Sequence, residues 1–366
     1  MAYTTIDDPS AYFQALVYTG TGGDAGASQP TTHTNTGNSD LQPDFIWFKD
    51  KGATYQHYLV DSSRGRAKGL HSDDSSAETT TGSTSYDLVS FDSDGFKVGL
   101  PSEGNSTNGG TTSKVAWQWK ASGGTTASNT DGTITSTVQA NTTAGFSIIT
   151  YTGTGSAGTI GHGLGVTPDI IIFKRRDGTN NWDFQFKGEA RLTLNLLDAQ
   201  ATNVLCTFTS TTTDLGSTAT AEKNANTGTY VAYAFAEKQG YSKFGKYTGN
   251  SHSGGDGPFV YTGFAPSFII IKRTDAANDW IIHTYKLGTL NGAGSVKGNV
   301  GNTNTSAFRA NENSVVNQWG AIDMLSNGFK PRSDAASINA SGGTYIYMAF
   351  AHAPFTTSTG IPTTAR

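Results

Sequence analysis

Three stretches of the chain carry the same landmarks in the same order, and a repeat of that kind constrains the fold more than any other feature. The segments Asp44-Phe-Ile-Trp-Phe-Lys-Asp50, Asp169-Ile-Ile-Ile-Phe-Lys-Arg175 and Ser267-Phe-Ile-Ile-Ile-Lys-Arg273 each follow a proline: Pro43, Pro168 and Pro266. Upstream of each stands a Tyr-Thr-Gly, beginning at Tyr18, Tyr151 and Tyr247. Downstream, each copy closes on an aromatic run ending at Trp119, Phe235 or Phe350, positions 116 and 115 residues apart.

Each landmark has a physical reading. A proline followed by β-branched and aromatic residues predicts a strand with the proline at its start, where a missing N–H costs no ladder bond. Ile170-Ile-Ile-Phe173 does not alternate, which suits a strand covered on both faces. In the closing run Val115, Trp117 and Trp119 share one face, and Ala116, Gln118 and Lys120 the other. Turn-forming clusters recur between the landmarks at sandwich-like spacing. The expected fold is all-β, with three tandem antiparallel β-sandwich (jelly-roll-like) domains of about 115 residues, close to the ~100 usual for such a unit. The expected division is repeat 1 over 1–121, a Gly/Ser/Thr linker over 122–130, repeat 2 over 131–238, repeat 3 over 239–355, and a C-terminal tail over 356–366, read as extended. The short join at Glu237-Lys-Gln-Gly240 predicts close packing of repeats 2 and 3.

Composition supports strands and excludes several function classes. Of 366 residues 45 are Gly, well above the usual ~7%, and Ser plus Thr make up roughly a quarter. Helix-building residues are scarce, while 19 Phe, 15 Tyr and 6 Trp supply ample core material, so neither a coiled coil nor a disordered chain fits. A formal charge of −4 offers no basic field, so no nucleic-acid partner is expected. The single Cys206 excludes an intrachain disulfide framework and a cysteine-based zinc site. No apolar run is long enough to span a membrane as a helix, and the N-terminal residues lack signal-peptide character. Assembly in the cytoplasm and release by lysis is the expectation.

Motifs with chemical potential read as structural. Gly153-Thr-Gly155-Ser-Ala-Gly158 matches a dinucleotide fingerprint, but the Gly-rich, Pro-ended segment that follows starts no helix; a β-hairpin is expected. Asp92-Ser-Asp94-Gly95 resembles half a calcium loop without the closing carboxylate, and Leu325-Ser-Asn-Gly-Phe329 replaces it in repeat 3, so a turn is expected. The histidines His33, His57, His71, His162, His252, His283 and His352 lack metal-site spacing, with His71-Ser-Asp-Asp74 the nearest approach to a cluster. His162 reads as a turn residue. No nucleophile elbow exists. Paired acids for glycoside hydrolysis would have to come from turn residues such as Asp7, Asp8, Asp24, Asp73, Asp74, Asp131 and Asp256. Trp182 and Trp280 follow matching Lys-Arg-x-Asp contexts (Arg176-Asp177 and Thr274-Asp275), each behind an Asn, and read as the next strand's start. Trp319, without a counterpart, is the one candidate for surface contact. No catalytic, cofactor-binding or metal residue is assigned, and no cofactor is expected.

Longer strings carry a resemblance. Gly161-His-Gly-Leu-Gly-Val-Thr-Pro-Asp169, Gly240-Tyr-Ser-Lys-Phe-Gly-Lys-Tyr-Thr-Gly249, Tyr345-Ile-Tyr-Met-Ala-Phe-Ala-His-Ala-Pro-Phe355 and the opening Tyr3-Thr-Thr-Ile-Asp-Asp-Pro-Ser-Ala-Tyr-Phe13 resemble a module of uncharacterised virion proteins of tailed bacteriophages, especially marine ones. The resemblance covers nearly the whole chain and brings no catalytic residues. It implies a non-enzymatic virion protein, tail fibre or spike first, with other virion proteins as partners and a host glycan or outer-membrane protein as receptor. A capsid decoration or cement protein is the alternative, and a polysaccharide-degrading enzyme a distant third. A homo-oligomer is expected to cover Val315, Val316 and Trp319, a trimer by analogy with threefold phage fibres.

Overall fold

The computed structural model describes residues 3–22, 30–81, 85–101, 106–202, 206–216, 221–252, 256–287, 306–318 and 322–363. It is built from antiparallel sheets, with one short α-helix, Ala336–Asn339, among the described residues.

Each repeat contributes one large sheet with the same central order. In repeat 1 it runs Phe13–Thr19, Ser113–Trp119, Phe45–Asp50, Tyr58–Asp61. The equivalent strands are Phe146–Thr152, Thr229–Phe235, Ile170–Arg175 and Asp183–Phe186 in repeat 2. In repeat 3 they are Ser242–Thr248, Thr344–Pro354, Phe264–Arg273 and Trp280–Thr284. The closing strand therefore lies between the opening strand and the proline-led strand each time. It pairs Trp119 with Phe13 and Phe45, Phe235 with Phe146 and Ile170, and Phe350 with Ser242 and Phe268. Smaller sheets cover the outer faces, such as Thr31–His33 with Gly95–Val98 and Leu88–Asp92, and Val260–Tyr261 with Gly328–Pro331 and Ile322–Leu325.

Alternation along these strands decides how the repeats assemble. The outward set of each repeat fills its own cluster: Ile46, Phe48 and Ala116; Ile171, Phe173 and Ala232; Ile269, Ile271 and Ala349. The inward set does not stay within its repeat. Trp47, Trp117 and Trp119 join Ile172, Tyr233 and Phe235, and Ile270, Met348 and Phe350, in one continuous core. A sheet apolar on both faces must be covered on both, and here the inner cover of each repeat is the other two repeats. The closing residues meet at the centre, with ring centroids 6.4 Å apart for Trp119–Phe235, 5.8 Å for Phe235–Phe350 and 5.5 Å for Trp119–Phe350. An apolar void of about 20 Å³ beside them is lined by residues of all three repeats, among them Phe45, Trp119, Ile172, Phe235 and Ile270.

Several local expectations change. The 122–130 segment is not all linker, because Ala127–Asn129 pairs with Ser136–Asn141 as the edge strand of repeat 2. Pro266 lies inside the strand Phe264–Arg273, where register shifts on either side of it spare the ladder. Gly153–Gly158 is no hairpin: the strands it joins, Phe146–Thr152 and Thr159–Gly161, belong to different sheets, so it crosses between layers. The tail folds back rather than extending. Thr356 bridges Pro362, and the Ser358 backbone N–H and hydroxyl both donate to the Asp7 carboxylate. Other readings match the structure: Asp92–Gly95 is the turn between paired strands, with Gly95 at φ 104°, and repeats 2 and 3 touch across their short join through Phe235 and Phe244.

Candidate functional site at the three seams

Ionisable and polar residues that look like chemistry in the sequence converge on the seams between repeats. The next-to-last residues of the proline-led strands are Lys49, Lys174 and Lys272, all fully buried. Each ammonium donates to two backbone carbonyls, one in its own repeat and one in a neighbour. Lys49 reaches Tyr55 at 2.7 Å and Asn313 at 3.0 Å; Lys174 reaches Asn180 and, at 2.8 Å, Ser75; Lys272 reaches Asn278 and, at 2.8 Å, Leu197. The direction is cyclic: repeat 1 to 3, 2 to 1, 3 to 2. Burial pushes all three amines down to about 8, against opposing pulls from nearby carboxylates.

Eight residues past each lysine a ring donor repeats the pattern. The Trp182 indole donates to His71 O at 2.7 Å and the Trp280 indole to Thr193 O at 2.9 Å. Repeat 1 has His57 there, and its Nε2 lies 2.9 Å from Arg309 O. The Trp47 indole N–H donates to His57 Nδ1 at 2.8 Å, so Nδ1 is an acceptor and the proton sits on Nε2, facing the carbonyl. His57 is thus a neutral donor standing in for tryptophan, and burial, reinforced by Lys49, holds its proton affinity far below the usual range. Trp47 occupies the position of Ile172 and Ile270 and supplies the ring bulk that His57 lacks.

A third position completes the set. The side chains of Asn195 and Asn311 accept the backbone N–H of Trp182 and Trp280 at 2.9 and 2.8 Å. In repeat 1 Asp73 does this for His57 at 3.1 Å. Burial, with the neighbouring Asp74 adding to it, pushes the Asp73 carboxyl up to about 7, against the pull of backbone N–H groups and Lys49. Asp73 and Asp74 are neighbouring acids, and each is committed: Asp73 to His57 N, and Asp74 to Gln56 at 2.5 Å and Ser76 N at 2.8 Å.

Other sequence candidates are dispersed. Asp7 holds the tail, Asp8 caps a short 3-10 turn, Asp131 bonds Asn129, and Asp256 pairs with Lys330. His162 accepts from Leu164 N at 3.2 Å, inside its turn. Trp280 opens the strand Trp280–Thr284, and Trp182 immediately precedes the equivalent strand Asp183–Phe186. Trp319 and Asp24 lie outside the described residues. Val316, expected to need a second copy, already packs against the shared core. Among the described residues no three His, Cys, Asp or Glu side chains are grouped to hold a metal.

The Tyr-Thr-Gly landmark acquires a reason. Tyr18, Tyr151 and Tyr247 donate to the carbonyls of Thr107, Lys223 and Ile338 at 2.5, 2.6 and 2.7 Å. The next residue in each case, Asn108, Asn224 or Asn339, accepts a backbone N–H from the loop after that tyrosine, at 3.0, 2.8 and 2.9 Å. These asparagines stand eleven positions before Trp119, Phe235 and Phe350, a regularity visible in the sequence that the landmark reading missed.

The seams also carry non-repeated bonds. Between repeats 1 and 2, buried Arg64 pairs with Asp61 at 2.5 Å and Glu78 at 2.9 Å, while Arg176 meets Glu78 at 2.8 Å and the Tyr233 hydroxyl donates to Asp61 at 2.8 Å. Between repeats 1 and 3, the Tyr3 hydroxyl donates to Gly263 O at 2.6 Å. What this arrangement does chemically is hold three sheets together. Lys49, Lys174 and Lys272 each spend two of their three N–H donors on backbone carbonyls.

The fold and its seams define a class: an all-β chain of three antiparallel repeats closed in a ring around one core. Residues 8–354 match the family described as Domain of unknown function (DUF7483), and the chain belongs to that family. No curated protein and no solved structure matches it.

Proposed function

We propose that this chain is a non-enzymatic structural protein of a bacteriophage particle, displayed on its exterior, where it binds the host surface. The observation that carries the reading is the cyclic lysine bonding, which turns the most perturbed amines of the chain into cohesion between repeats rather than leaving them open to a substrate. The strings resembling phage virion modules support it, as does a rigid body that needs no disulfide. Each repeat is read as a small sandwich, its large sheet inward and its small sheets outward. The loops at the two ends of such a body suit recognition. A host glycan or outer-membrane protein is the proposed receptor, other virion proteins the proposed neighbours, and the assembled particle the proposed location.

Capsid decoration is the second reading, favoured by one observation: three repeats close on themselves within one chain, and no shaft or coiled coil follows from any described element. Purified protein added before infection should compete with phage adsorption if adhesion is right. Absence of binding to host cells, together with antibody labelling on the head in particle images, would transfer the assignment to decoration. Release of reducing ends from host polysaccharide would overturn both.

A further inference from the structure

The outer layer of repeat 2 contains polar residues where its sister repeats are more apolar. Nine residues past the seam lysine, repeat 1 has Tyr58 and repeat 3 has Ile281, each in the outer cluster of its repeat. Repeat 2 has Asp183, with Gln185 two residues on along the same face. Opposite them, Lys223 leads into the closing strand, and Cys206 lies alongside. Asp183, Gln185 and Lys223 are at least nine-tenths buried.

Their arrangement is specific. Lys223 Nζ lies 3.6 Å from Asp183 Oδ2, which has no hydrogen-bond partner. The Gln185 amide donates to Asp183 Oδ1. Lys223 Nζ is also 3.2 Å from Cys206 Sγ and 5.9 Å from the centre of the Phe173 ring. A buried charge pair of this kind is costly to keep and inexpensive to neutralise. Burial raises the proton affinity of Asp183 against the pull of Lys223, while Asp183 and Cys206 raise that of Lys223 against its burial, so the neutral pair is reached by moving a proton within it.

We propose that Lys223 and Asp183 condense to an intramolecular amide that staples the large sheet of repeat 2 to the loop covering it. The ammonium first passes a proton to the carboxylate, leaving a neutral amine and a neutral carboxyl. The Nζ lone pair then attacks Cγ, and the carbonyl electron pair moves onto Oδ1, where the Gln185 N–H stabilises it. On collapse the Cγ–Oδ2 bond breaks, Oδ2 takes a proton from Nζ, and one water leaves. Carboxyl plus amine gives amide plus water, with no oxidant or cofactor. Cys206 accepts a hydrogen bond from the lysine and orients it. The staple needs no assumption about the particle role.

Intact-mass measurement of the full chain, purified folded and denatured only for analysis, tests this. The expected mass is one water below the sequence mass, and a digest should yield the Asp183 and Lys223 peptides joined. Lys223→Arg should restore the full mass, and Asp183→Asn should lose ammonia in place of water. Gln185→Leu should slow the loss at least tenfold without moving its site. A folded wild-type chain at full sequence mass would overturn the proposal. So would a water loss that persists in Lys223→Arg, which would place it at an Asp-Gly succinimide. A gain of one oxygen less two hydrogens at Lys223 and Cys206 would also overturn it, as an oxidative bridge.

Discussion

Asp73→Asn should make the protein more stable above neutral pH, although it removes a charge opposite Lys49. Asn195 and Asn311 already fill this slot in the other repeats, so the amide fits, and its Oδ1 can keep the bond to His57 N. The carboxyl is raised from 3.8 to about 7, chiefly by burial, so the native state holds a proton that the unfolded chain has released. Stability contributed at Asp73 is then full below about pH 4 and falls as pH rises toward about 7, where it levels. At about 1.4 kcal/mol per decade the ceiling is roughly 4 kcal/mol. Partial screening and the lost attraction to Lys49 reduce the expected gain to about 1–2 kcal/mol at pH ~8. Urea unfolding of both proteins at pH ~4 and pH ~8 should show a gap that opens only at the higher pH. Equal stabilities at both pH values, or a variant weaker at pH ~8, would refute the reasoning.

Other consequences of the shared core can be measured directly. Phe235→Ala removes one corner, and with it two of the three contacts, of the central aromatic triangle and should cost about 3–5 kcal/mol, lowering the melting of the whole chain in calorimetry rather than of repeat 2 alone. Trp47→Ile should cost roughly 2–4 kcal/mol, because it removes ring bulk and leaves His57 Nδ1 unsatisfied. Adding His57→Trp should recover at least half, which a double-mutant cycle from denaturant melts would read. A fragment of residues 1–121 exposes Trp47, Trp117 and Trp119 on the face that repeats 2 and 3 cover. It should fail to give a cooperative melt or dispersed amide signals, and a well-folded fragment would show that each repeat is self-sufficient.

Much of the fold was legible because the repeat is legible. Alternation in Val115, Trp117 and Trp119 announced a two-faced strand, and unbroken Ile170-Ile-Ile-Phe173 announced a strand covered twice. The covering partner was not legible. A strand's periodicity states that a face is buried but carries no information about whose residues bury it, so three separate sandwiches and one shared core read alike. The seam was partly visible: the Trp182 and Trp280 landmarks stood out and the lysines recurred inside the strand motif, but their acceptors are backbone carbonyls, which every residue has. His57 and Asp73 were hidden for a related reason. Each looks like potential chemistry alone and becomes structural only when superposed on Trp182 and Asn195.

By itself the sequence determined an all-β chain of three copies, the strands at the centre of each sheet, and the turns that carry the glycine excess. These are local properties, set by side-chain period, proline geometry and glycine's access to positive φ. Tertiary structure alone decided that the inward faces meet one another, that three lysines bond in a ring, and that Asp183 lies against Lys223. Those outcomes depend on distances between residues far apart in the chain, which follow from how two apolar faces per sheet can all be buried at once.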